Sequence, residues 1–222
     1  AHLSDGADIA IFGRMMASDH SLTVEGAGMF SHALSTHRAE SEIDFYSAVD
    51  EHDVDAAESD DAGAGMLGVL EYNSAVYYRY IGLNLDLLAD EQHLQALEPA
   101  ERQALTRAFI EACLTAVPGA RKNSMNAHTL PGFVLGTVKN DGYPLQLINA
   151  FEQPVRPGKD QGYLLESIAR LTAHDEALRE QWEIELAERV ALGGEDGLKL
   201  SEFLTRLTNL SLIHISEPTR QA

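Results

Sequence analysis

Residues 7–50 constrain the fold more than any other stretch of this chain. Ile9, Ile11, Gly13 and Met15 alternate with Asp8, Ala10, Phe12 and Arg14, and period two in β-branched company predicts a strand over residues 8–15. Residues 18–28 are polar and glycine-bearing and predict a loop. Residues 29–37 alternate again, with Phe30, His32 and Leu34 on one face and Ser31, Ala33 and Ser35 on the other. Residues 38–50 follow as an extended arm that carries the acidic-aromatic run Glu42-Ile43-Asp44-Phe45-Tyr46. A chain with this pattern must build sheet, and it must carry aromatic side chains on a segment projecting from that sheet.

The rest of the chain supplies one more sheet signal and several helices. Residues 71–85 are dense in tyrosine and branched aliphatics and predict a single strand. Val76, Tyr78 and Tyr80 share one face of it, and Tyr77, Arg79, Ile81, Leu83 and Leu85 the other. Its tyrosines suit either sheet packing or base stacking. Residues 98–117 predict a helix: Leu105, Ala108, Phe109, Ala112, Cys113 and Ala116 fall on one apolar stripe, Pro99 suits the first turn, and Pro118-Gly119 ends it. Cys113 lies on that stripe and reads as a small core residue. Residues 133–139 predict a strand between two turn signals, and residues 145–151 form a short apolar run. A loop with Pro154 and Pro157-Gly158 leads to a long helical segment over residues 162–190, whose stripe Asp175 interrupts, so that a kink or two helices would fit. Residues 198–207 predict a last short helix.

Composition bounds the function. At 222 residues, with 45% hydrophobic and 23% charged content, the chain is of ordinary single-domain size and composition. Its one cysteine excludes an internal disulfide framework and fits a reducing compartment. No apolar run reaches membrane-spanning length, and no signal peptide is recognisable. The net charge of −19 disfavours broad electrostatic binding of nucleic acid. Seven of the acids fall between residues 50 and 61 without a Lys or Arg. Such a run is a solvated loop or a metal site, and its spacing does not match a calcium loop. Residues 210–220, LSLIHISEPTR, read as the translation of a sequencing adapter rather than native protein, so residues 210–222 are set apart from the fold.

Motifs for catalysis are not found. The sequence has no Walker-type phosphate loop, no dinucleotide fingerprint, no nucleophile elbow and no zincin motif. His32 and His37 are five residues apart, so on a strand they point to opposite faces and do not share a metal. Arg121-Lys122 is the only adjacent Arg-Lys pair and lies just past a predicted helix end. It suits either the helix dipole or a phosphate contact.

Particular phrases carry a resemblance. They are Asp8-Ile-Ala-Ile-Phe-Gly-Arg-Met15, His32-Ala-Leu-Ser-Thr-His37, Glu42-Ile-Asp-Phe-Tyr-Ser-Ala-Val-Asp50, Val76-Tyr-Tyr-Arg-Tyr80 with Asn84-Leu85, Val117-Pro-Gly-Ala120 and Asn149-Ala-Phe-Glu152. In this order and spacing, over residues 7–168, the chain resembles the backbone subunit of the type I-E CRISPR Cascade surveillance complex, the CasC family.

The resemblance implies an α+β fold: an RNA-recognition-motif-like (ferredoxin-like) palm with an inserted thumb arm and a helical C-terminal part. Residues 1–209 would form a partial palm and thumb, with the family's first strand, first helix and fingers absent ahead of residue 8. Without that central strand two inner sheet edges would be unpaired, so the chain alone is expected to be marginal or to aggregate. The implied function is non-catalytic. Copies of the subunit polymerise along a CRISPR guide RNA, and each thumb folds over the guide and kinks it. Target DNA is read through guide pairing. The implied partners are guide RNA, target DNA, further copies of the chain and other Cascade subunits, with no cofactor, metal or membrane, in the cytoplasm.

Carried over by position, Met15 packs against guide bases, and Phe45, Tyr46 and Ser47 take the thumb wedge. The family commonly has Trp-Phe-Thr there, and either ring can stack on a base. The phosphate-gripping Lys, Gln and Ser positions of the family precede this chain. Arg14, Arg38, Arg79, Arg121 and Lys122 are the local cations left for that task. Two rival readings stand beside this one. The chain would cut target RNA in the metal-dependent manner of type III backbone subunits, using Asp8, Asp44 or Asp50, or it would be an acidic protein-interaction module.

Overall fold

The computed structural model describes residues 6–48, 66–119, 122–126, 128–156, 158, 162–194 and 197–209. The fold is mixed α+β. Within the described residues every sheet is a two-stranded antiparallel pair, and helices cover two of them.

The first element corrects the sequence reading. Residues 8–15 do not form a strand: Ala7–Phe12 is a helix (α1), stopped by Gly13 at φ 77°, whose N–H donates to the Ile9 carbonyl at 2.8 Å. Ala10 and Ile11, neighbours in sequence, are both buried, which a half-buried strand would forbid. Alternation over so few residues does not separate the two periods, and a glycine in the left-handed region decides for a helix end. Beyond it Arg14 makes a single antiparallel bridge with Val24. The helix backs closely onto residues 26–28. A Cβ on Gly26 or Gly28 would lie 2.9 Å from the Ile11 carbonyl oxygen.

From there the chain runs out and back as one antiparallel ribbon in three sections. Gly28–Phe30 (β1) pairs with Ile81–Leu83 (β6), Leu34–Ser35 (β2) with Tyr77–Tyr78 (β5), and Glu42–Ala48 (β3) with Met66–Tyr72 (β4). The single strand expected over residues 71–85 is therefore broken into three, and residues 66–72 form a strand the sequence reading did not assign. The breaks are register shifts. Three residues separate β1 from β2 where only two separate β5 from β6. Six separate β2 from β3 where four separate β4 from β5. A one-residue shift exchanges the faces of a ribbon, whereas a two-residue shift keeps them.

The inner end of the ribbon is anchored in the first core. Asn84 donates its N–H to the Ala27 carbonyl and caps the short helix Leu85–Leu88 (α2) through Oδ1 to the Leu87 N–H, 3.0 Å. Ala10, Ile11, Ala27, Leu88 and Leu94 pack there against Phe109 of the helix Pro99–Thr115 (α3). That helix begins as the sequence indicates, with Pro99 in the first turn and a reciprocal Glu98/Glu101 capping box. Its buried face is rotated from the expected stripe: Arg102 and Thr106 are buried and Ala108, Ala112 and Ala116 are exposed. Arg102 can be buried because its guanidinium donates to the Leu94, Gln95 and Leu97 carbonyls.

The second core lies on the other side of α3. Phe133–Val138 (β7) pairs with Glu188–Gly193 (β8), and Leu200–Asn209 (α5) lays Phe203, Leu204 and Leu207 against them. Ile110 of α3 packs against both cores and joins them. Here the sequence reading is corrected again. The helix expected over residues 162–190 ends at Gln181 (Tyr163–Gln181, α4), and β8 follows, so the C-terminal part is helix, strand, helix. Asp175 interrupts the apolar stripe because it is a buried tie: Oδ2 accepts from Arg179 Nε at 3.2 Å and from Arg189 Nε on β8 at 2.8 Å. Residues 210–222 and the acidic run 50–61 lie outside the described residues.

Candidate nucleic-acid interface

The arm is the ribbon's outer section, β3 and β4. Alternation divides its side chains cleanly. Ile43, Phe45 and Ser47 share one face with Leu67, Val69 and Glu71, and Glu42, Asp44 and Tyr46 share the other with Gly68, Leu70 and Tyr72. Phe45 and Tyr46 therefore point to opposite sides. Phe45 is 74% exposed and Tyr46 44% exposed. Ile43, Leu67 and Val69 around Phe45 are exposed as well, so this face is an apolar strip with nothing over it among the described residues. Tyr46 lies across Gly68, directly opposite: a Cβ there would come within 2.2 Å of the ring. The glycine thus provides the flat floor on which the tyrosine ring rests. Neither strand carries a Lys or Arg.

The arm springs from a well-tied root. Thr36 N–H donates to the Val76 carbonyl at 2.9 Å, continuing the β2–β5 register by one pair. The Thr36 carbonyl turns away and accepts from Val155 N–H at 2.9 Å. His37 is buried, with its ring stacked on Tyr163 of α4 at 3.7 Å between centroids and 15° between planes. Both of its ring nitrogens have partners, so a metal site shared with the exposed His32 does not form. Tyr78 holds the returning side: its hydroxyl donates to Gln146 Oε1 at 2.5 Å and accepts from Leu147 N–H at 3.1 Å. Burial pushes the Tyr78 phenol above its ordinary range, with the Leu147 N–H opposing. Tyr78 is thus a packing residue, while Tyr77 at the same level is exposed.

The remaining candidate residues are spread along the chain. Arg38 sits at the arm's root, exposed, in an ion pair with Glu40 at 3.4 Å that solvent screens. Arg14 is half-buried, and its Nε donates to the Leu22 carbonyl at 3.0 Å. Met15 beside it is 84% exposed. Lys122 is exposed in the turn after α3, and Arg121 lies outside the described residues. Arg79 donates to the Cys113 carbonyl, at the C-terminal end of α3. Burial raises the Cys113 thiol above its usual range, which keeps it protonated.

One feature near Met15 escaped the sequence reading. Phe12 and Phe30 stack at 5.5 Å and 18°, and both are exposed, at 65% and 51%. Phe109 meets Phe30 edge-on from below at 6.0 Å. The available signal was a phenylalanine immediately before Gly13-Arg14-Met15, where a half-buried strand would have placed it on the polar face. The strip around Phe45 has a weaker signal, since residues 66–72 are mostly apolar but do not alternate in polarity, and it forms by their pairing with the outgoing strand.

The model of the CT1975-like protein family, Cas_CT1975, matches residues 1–211. No curated protein matches the sequence significantly. Among solved structures, a chain of a CRISPR RNA-guided surveillance complex is 28% identical with a TM-score of 0.73, over 95% of this chain and 78% of its own length. A chain of a CRISPR RNA-guided surveillance complex described as pre-nicking is 27% identical with a TM-score of 0.69. That comparison covers 95% of this chain but 55% of the other, so this chain spans about half the length of that relative.

Proposed function

The chain belongs to the CT1975-like protein family, and from that premise we propose that it is a guide-RNA-binding subunit of a CRISPR surveillance complex. In the finer form of this reading it is a type I-E Cascade backbone subunit. Copies line up along the guide, each laying its arm over the RNA beside the next copy and the other subunits, and target DNA pairs with the exposed guide. The likeness to surveillance-complex chains at 27–28% identity supports the setting. The observation that carries the role is the arm itself. A blade that parts two stacked bases needs a ring on each of its faces, and Phe45 and Tyr46 provide one each.

The subunit binds and does not cut in this reading. Base stacking on aromatic side chains is tolerant of sequence, which suits a protein that must hold any guide. The test is binding of labelled guide RNA by the full-length protein across a salt series, with Tyr46→Ala as the variant. Salt-sensitive binding weakened by that substitution is expected. Binding indifferent to both would remove the RNA role, and magnesium-dependent cleavage of target RNA would remove the non-catalytic one.

A further inference from the structure

We propose that His37 is the positioning residue of the arm, its imidazole Nε2 serving as the acceptor that closes the ribbon beneath a hinge. The backbone ladder at the root of the arm lacks one carbonyl acceptor. In an antiparallel ladder Thr36 and Val76 would exchange two hydrogen bonds. Only one is made between backbones, because the Thr36 carbonyl is taken by Val155 N–H. The Val76 N–H goes instead to His37 Nε2 at 3.1 Å. Val76 N–H is a donor, so Nε2 accepts, and the ring proton sits on Nδ1, 2.8 Å from the Arg38 carbonyl. One tautomer of one residue type therefore stands in for a backbone group.

Three bodies meet at that ring. His37 and Val76 make the last bond across the ribbon before the arm; beyond it the ties run along each side, from His37 Nδ1 to the Arg38 carbonyl and from the Tyr77 hydroxyl to Asn73 Oδ1 at 2.6 Å. The stack on Tyr163 fixes the ring to the first residue of α4, and Ser167 Oγ, one turn further on, lies 2.9 Å from Thr36 Oγ1. Beyond the Thr36–Val76 pair, the two-residue register shift leaves unequal connections of residues 37–41 and 73–75 before pairing resumes at Glu42 and Tyr72. Unequal, unpaired connections absorb changes in backbone angle, which is the property of a hinge. The arm turns on these connections, and the imidazole sets the angle from which it turns. Because the shift is even, the root also fixes which face of the blade carries Phe45.

This inference deepens the RNA reading and rests on it for its functional meaning, but the geometry can be tested without RNA. Spin labels on Ser47→Cys and Glu180→Cys in a Cys113→Ser background report the distance from the arm to the far end of α4 in the full-length protein. His37→Gln retains an acceptor, His37→Phe retains the stack without the acceptor, and His37→Ala loses both. We expect one narrow distance population for the native residue and His37→Gln, and a broadened one for His37→Phe and His37→Ala. Exchange of the Val76 amide should rise about fivefold or more in the last two, the effect of one lost hydrogen bond. A narrow population in His37→Phe would overturn the proposal, since packing alone would then suffice. With guide RNA bound, His37→Phe should weaken affinity, and it should lower the unfolding midpoint less than His37→Ala does because it keeps the stack. If the arm moves and affinity does not, the wedge reading fails while the positioning role stands.

Discussion

The two rings of the arm allow a quantitative test of how it meets RNA. Phe45 sits opposite Val69, on the far side of β3 from Tyr46 and Gly68. The two side chains share no contact surface, and each is substantially exposed. Phe45→Ala should therefore change folding stability by no more than about 0.5 kcal/mol. Tyr46→Ala removes the ring from Gly68 and should cost up to about 1 kcal/mol, the scale of a cross-strand pair. In a complex each ring that stacks on a base contributes about 1–3 kcal/mol, so each substitution should raise Kd by about five- to 150-fold. Groups on opposite faces with no common partner act additively, so the double variant should show the product of the two factors. Fluorescence anisotropy of labelled guide RNA at several salt concentrations measures this. The slope of log Kd against log salt should stay unchanged, because on the proposed reading the rings touch bases and not phosphates. A single variant with native affinity, or a double variant no weaker than the worse single, would refute the blade geometry and put the arm flat on the RNA by one face.

Asp175→Ala removes the buried carboxylate that Arg179 and Arg189 share; both arginines are partly solvated and Arg189 keeps Glu176 at 3.8 Å, so urea denaturation should show a loss of about 1–3 kcal/mol. Gly136→Ala should cost about 1–3 kcal/mol by the same measurement, because its Cβ would lie 2.8 Å from Leu207 Cδ1 and 2.9 Å from Phe203 Cζ in the second core. For Tyr78 the sign is set by burial: its folded pKa lies above the ordinary 10.0, so the neutral phenol is favoured by folding. That contribution is complete below pH 10.0 and declines as pH rises above it, and Tyr78→Phe should flatten the alkaline arm of a stability–pH curve.

What was legible in the sequence follows from how local the deciding physics is. The helix α3 announces itself because Pro99, Glu98 and Glu101 settle its start within four residues. Strand β7 lies between turn signals, and α5 has a strong apolar stripe, so both are read near their true places. Residues 8–15 are misread because a six-residue helix completes fewer than two turns, too few for its period to show. Residues 188–193 are misread because Val190 falls on the extrapolated stripe of α4, whereas pairing with the distant β7 decides its state. The rotation of the buried face of α3 depends on Arg102 reaching three loop carbonyls, which no helical periodicity encodes. On the site, the aromatic pair was visible in the sequence. That its members face apart follows from the extended arm expected over residues 38–50, whereas the neighbours of each ring, Val69 opposite Phe45 and Gly68 opposite Tyr46, are set by pairing with the distant β4.

A net charge of −19 and an RNA-binding role conflict only if the described surface must bind phosphate. The arm does not have the chemistry to do so: Glu42, Asp44 and Glu71 are its charged residues across residues 42–48 and 66–72. Acids beside exposed rings repel the backbone of a nucleic acid and leave base faces as the favourable contact. This is the preference required of an element that enters the stack rather than follows the strand. On the proposed RNA-binding reading, the two tasks of a guide binder separate in space. Cations away from the arm, such as Lys122 beyond α3, are available for phosphate, and the arm is left free to discriminate stacked from parted bases. On this division, adding a lysine to the arm at Asp44 should raise overall RNA affinity and steepen its salt dependence. It should also narrow the difference between native and Tyr46→Ala arms, because backbone attraction would then hold the arm where stacking alone is meant to.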